Sequence, residues 1–93
     1  MEKIGGFSVP DKYVGTVSTD SAGVHIYCAA RDRSWTLGEG DYFIGWTDDG
    51  HPAAGHLTRD TNTGDWYAVS PSGVVHHYLD LLLVNLVEIG FLG

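Results

Sequence analysis

Short alternating segments separated by acidic, glycine-bearing turns run from the start of the chain to about Ser70. One apolar-rich stretch, residues 74–92, then follows without such a turn inside it. Segments of period two punctuated by Asp, Asn and Gly are strands of an antiparallel sheet. A long apolar stretch without punctuation suits a helix. The pattern therefore predicts an α+β domain: a four- to five-stranded antiparallel meander over residues 1–70, with a helix over residues 71–92 packed on one face. The 93 residues make a single domain, long enough to bury a core without metal or disulfides.

Ile4, Phe7 and Val9 suit an edge strand that Pro10 ends, and residues 13–18 alternate weakly up to the turn at Thr19-Asp20-Ser21-Ala22-Gly23. In residues 23–31, Val24, Ile26, Cys28 and Ala30 share one face, and His25, Tyr27 and Arg31 the other. Residues 32–40 read as a polar loop with Trp35 and Leu37 embedded in it. Tyr42, Ile44 and Trp46 lie on one side of the next strand. Thr47-Asp48-Asp49-Gly50 reads as a type I′ hairpin turn, and residues 52–59 and 66–69 complete the meander around the turn at residues 60–65.

For the last segment, Ser70 is a candidate N-cap, Pro71 fits the first helical position and Gly90 fits the C-terminal cap. At a hundred degrees per residue, Val75, Tyr78, Leu79, Leu82, Leu83, Leu86 and Ile89 share one face. His77, Asp80 and Glu88 mark the other, yet Leu81 and Val84 fall among them. That surplus predicts contact with a second copy through Leu81 and Val84. The alternative is a buried strand over residues 81–89, which would make a small all-β barrel.

The net charge of −7 argues against direct binding of nucleic acid or anionic membranes, both of which call on Lys and Arg. It suits solubility or a basic protein partner. A lone cysteine, Cys28, excludes an internal disulfide. The first residues carry no apolar signal-peptide region, and Asp80, Asn85 and Glu88 interrupt the apolar stretch, so a cytoplasmic protein is expected.

No catalytic constellation emerges. The five histidines, His25, His51, His56, His76 and His77, lack the spacing of a zinc site. Asp60-Thr61-Asn62-Thr63-Gly64-Asp65 resembles the start of a calcium loop, but Pro71 stands where a bidentate Glu belongs, and Asp and Asn favour ordinary turns. His56-Leu57-Thr58 lacks the second His-x-Thr that phosphoesterase chemistry needs. No serine lies in a nucleophile elbow, and Cys28 alternates with core residues. The chain is thus expected to be non-enzymatic, with no cofactor and no metal.

The aromatics point elsewhere. Tyr27, Tyr42, Trp46, Trp66 and Tyr67 fall on both faces of the sheet, while one helix covers only one. Asp32, Glu39, Asp41, Asp60 and Asp65 fall in or beside the second and fourth loops, which emerge at one end of a meander. Together with Trp35 and Trp66 they form a candidate surface for a basic, nucleic-acid-binding protein. The expected function is a small acidic binding protein, as in phage-encoded inhibitors of the anti-CRISPR and wider anti-defence class, acting in the host cytoplasm. The alternatives are a homo-oligomeric adaptor, or a small-ligand or metal-binding protein using His25, His56 and His77.

Overall fold

Alternation does produce strands, and more of them than the turn signals mark. The computed structural model describes residues 1–91. Its strands are β1 (Glu2–Ile4), β2 (Phe7–Val9), β3 (Val14–Asp20), β4 (Gly23–Cys28), β5 (Arg33–Leu37), β6 (Tyr42–Trp46), β7 (Pro52–Arg59), β8 (Trp66–Val69), β9 (Val75–His76) and β10 (Leu83–Asn85). A short helix, α1 (Leu86–Ile89), follows β10. β1 and β2 form a separate hairpin, and the other eight strands form one antiparallel sheet in the order β5-β4-β3-β10-β6-β7-β8-β9.

This sheet cannot be flat. β5 and β6 stand four positions apart in it, about 19 Å at the usual strand spacing. Yet residues 38–41 join them through a turn closed by Asp41 N–H to the Gly38 carbonyl at 3.1 Å. The sheet therefore curls, and the inner faces of its two halves enclose one core. Phe43, Ile26, Leu57, Leu79, Leu86, Val24, Val84 and Cys28 are its fully buried side chains. The outer strands β5 and β9 do not pair with each other, so the curl stops short of a closed barrel.

The expected helix over residues 71–92 is corrected to four residues. Ser70-Pro71-Ser72-Gly73 instead closes a β8–β9 hairpin. Gly73 N–H bonds the Ser70 carbonyl at 2.9 Å, Val74 N–H bonds Ser70 Oγ at 3.1 Å, and Gly73 takes the left-handed φ of 86°. The apolar run then changes period. Leu82, Val84 and Leu86 are buried in alternation, as a strand requires. β10 enters between β3 and β6, pairing Val84 with Gly15 and Leu83 with both Thr16 and Trp46. Gly15 leaves room for the core side chains of its neighbours, since a Cβ there would lie 2.6 Å from Ile26 Cγ2 on β4 and 3.1 Å from Leu86 Cδ2. Of the helix signals, only Gly90 acts as expected, at φ 90°, while Asn85 caps the other end by accepting from Val87 N–H at 3.1 Å.

Two loop expectations also change. Residues 33–37 are the edge strand β5, paired with β4 through Ile26 opposite Trp35, rather than part of a polar loop. The Asp48-Asp49-Gly50 turn is wider than type I′: Trp46 pairs Pro52 across a five-residue loop in which only Gly50 has positive φ.

Candidate functional site

The site begins where β3 ends. Asp20 accepts hydrogen bonds at its carboxylate from Ala22 N–H at 2.8 Å and Gly23 N–H at 3.2 Å, which tightens the β3–β4 turn. Its backbone carbonyl accepts from the Trp66 indole Nε1 at 2.8 Å, tying this turn to the start of β8. Thr19 Oγ1 donates to Asp80 Oδ1 at 3.0 Å, tying β3 to the segment after β9.

That segment is a 3-10 turn, Leu79–Leu81, entered through Tyr78 at φ 57° and ψ 49°. Leu79 and Leu82 are drawn into the core. At three residues per turn, their neighbours Tyr78 and Leu81 then both face outward, 80% and 74% exposed. Thr19, Asp65, Trp66 and residues 77–81 line a cleft of about 370 Å³. Trp66 is its buried floor, Tyr78 and Leu81 are apolar rims, and Asp65 and Asp80 add negative charge. His77 contacts Tyr67 with ring centroids 5.7 Å apart, and Tyr78 at 6.3 Å. Carboxylates beside an aromatic face and an aliphatic side chain suit an organic cation with an apolar stem, such as Arg or Lys.

A second polar network lies on the exposed face of β4 and β5. His25 Nε2 is 2.8 Å from Asp20 Oδ1, and His25 Nδ1 is 2.9 Å from Thr36 Oγ1. The hydrogen bond from His25, followed by those from the turn N–H groups, holds the Asp20 carboxyl below its ordinary value. A hydroxyl, an imidazole and a carboxylate in series resemble a nucleophilic triad. Thr36, however, lines neither the Tyr78 cleft nor the shallow groove between Glu2, Asp11 and Tyr27, and acyl transfer also needs convergent N–H donors. The network braces the two strands and the turn.

The expected site is only partly assembled. The Asp41 carbonyl accepts from Leu57 N–H at 2.9 Å, which brings the β5–β6 connection, and Glu39 with it, beside the end of β7. Asp60 and Asp65 follow in the β7–β8 turn, where Asp60 accepts from Asn62 N–H at 2.8 Å. Asp32 does not join them. β5 separates it from Glu39 by about 17 Å of strand, and it accepts from the Tyr27 hydroxyl at 3.0 Å, pushing that phenol's pKa up. Trp66 is buried and serves as the cleft floor. Trp35 is half-buried, stacked on Phe91 at 5.1 Å.

Leu81 is exposed as expected, but Val84 is 0% exposed and unavailable to a second copy. Of the three proposed ligand histidines, His77 lines the Tyr78 cleft, while His25 and His56 line neither that cleft nor the groove beside Tyr27. Among the described residues, no group of three or more His, Cys, Asp or Glu side chains is placed to hold a metal. No helix of the described residues is long and apolar enough to cross a membrane.

Sequence reasoning missed Tyr78, Asp80 and Thr19. Helical spacing assigned Tyr78 to a buried face, and nothing in the local sequence announces a left-handed residue there. Comparison with protein-family models, curated proteins and solved structures finds no match to this chain.

Proposed function

We propose that this chain is a non-catalytic binding protein whose Tyr78 cleft engages a cationic protein surface. The observation that carries the reading is the presentation of Tyr78. A bulky non-glycine residue in the left-handed region costs on the order of 1 kcal/mol. Here it also turns a large aromatic ring out to solvent, beside Leu81, Asp65 and Asp80. Burial of Leu79 and Leu82 sets the direction of this turn, but it gives no reward for a large aromatic residue, rather than a glycine or a polar one, at position 78. Exposed aromatic anchors with neighbouring charge are the usual energetic centre of a protein interface. The net charge of −7 would speed the approach of a basic partner.

A concrete form of the proposal is an inhibitor that occupies the nucleic-acid channel of a defence nuclease. The test is competition. A purified RNA-guided nuclease is mixed with labelled target duplex, and this protein is added to saturation. Loss of bound duplex, reversed by Tyr78→Ala, supports the inhibitor; unchanged duplex binding removes that form.

A further inference from the structure

The two edges of the eight-stranded sheet are unequal. β9 is two residues long and offers little to pair with. β5 has five residues and no proline, and among the described residues its backbone ladder runs to β4 alone. An open edge of this length is a template for another strand.

Charge selects which strand. The chain carries five Lys and Arg in all; Arg31 and Arg33 stand at the start of β5 with Asp32 between them, which leaves that end net positive. Glu39 and Asp41 stand just beyond its end. The edge is therefore positive at one end and negative at the other, which is self-complementary when a second copy runs antiparallel. Elsewhere, an excess of acidic residues repels a second copy.

We propose that two copies of this chain pair through their β5 edges about a two-fold axis at Thr36. In that register Trp35 stands opposite the second copy's Leu37, and Arg33 opposite its Glu39. Trp35 and Leu37 already pack against the core, and Glu39 follows in the turn just past β5, so the charged pair would meet at the strand end. Each pair occurs twice by symmetry. Moving the axis to Trp35 would set Arg33 opposite Leu37 and lose the charge match, so the side chains define the register. Arg33, exposed at the start of the edge, holds its guanidinium over the Trp35 ring at 5.1 Å. The second copy enters at the sheet edge, not at the Leu81 face expected from helical spacing.

Sedimentation across a concentration series, with Arg33→Glu, Glu39→Arg and the double variant, tests the pairing. The mass should rise from 10.1 kDa toward twice that value. Each single reversal should weaken association about tenfold, and the double should recover it. A cross-linking arm uses Thr36→Cys, which places two thiols on the axis within disulfide reach. Mild oxidation should link it readily, and should link Ser18→Cys, on β3 away from the edge, far more slowly. Far-UV circular dichroism confirms that each variant folds. A monomer at about 1 mM, or a dimer that ignores the charge reversals and cross-links no faster at position 36 than at 18, overturns the proposal.

Discussion

The Trp66 indole donates to the backbone carbonyl of Asp20 at 2.8 Å across 46 residues of sequence. This bond joins the β3–β4 turn to β8, which lie in opposite halves of the curled sheet, and it fixes the floor of the Tyr78 cleft. Trp66→Phe keeps most of the buried ring but removes the donor. It should lower stability by about 1–2 kcal/mol. Urea denaturation followed by circular dichroism measures this; an unchanged midpoint would show that the bond contributes nothing.

The acid side of the stability profile should depend on Asp20. Its carboxyl titrates below the ordinary 3.8 in the folded chain because His25, Ala22 and Gly23 bond the ionised form. A lowered folded-state pKa gives stabilisation that is present above the unfolded value and lost as pH falls through the folded one. Asp20→Asn should therefore be less stable than the parent above about pH 4, and the two should converge in stronger acid. Denaturation midpoints at a series of pH values test this. A constant gap down to the lowest pH would contradict it.

Leu81 and Val84 separate the strand reading from the helical one. Leu81→Ser should change stability by less than about 0.5 kcal/mol, as an exposed position allows. Val84→Ala, between β3 and β6, should cost roughly 2 kcal/mol. Similar costs at the two positions would mean that β10 does not occupy the core. Gly15→Ala probes the same place, because the new methyl meets Ile26 and should cost about 1–3 kcal/mol.

Tyr78→Gly should separate stability from binding. Glycine adopts the left-handed conformation without steric cost, so the variant should be equally stable or up to about 1 kcal/mol more stable. It should also bind a cationic partner more weakly. A clear loss of stability would mean that the ring supports the fold and is not held out for a partner.

The first seventy residues were largely legible because Asp20, Asp60, Gly23 and Gly50 mark their turns by local chemistry. β5 was hidden, since Arg33, Ser34 and Thr36 are polar on an edge strand that needs little burial. The final segment misled because Leu79, Leu82, Leu83 and Leu86 satisfy helical spacing, while the decisive factor, the gap between β3 and β6, is not local. Leu81 and Val84 already conflicted with a helix: Val84 is buried in alternation with Leu82 and Leu86, and Leu81 faces outward from the 3-10 turn. Loop order pointed to Asp41, Asp60 and Asp65 as one group, but of these only Asp65 lines the cleft. The cleft itself was not legible, because it depends on the backbone of Tyr78.

The most direct measurement is a nuclear magnetic resonance titration of the isotopically labelled chain with a short arginine-rich peptide, at low salt and at about 0.5 M salt. The account predicts shifts concentrated at Thr19, Asp65 and residues 77–81, largely suppressed by salt and weakened by Tyr78→Ala. Shifts spread evenly over the acidic surface, with residues 77–81 unmoved, would contradict it.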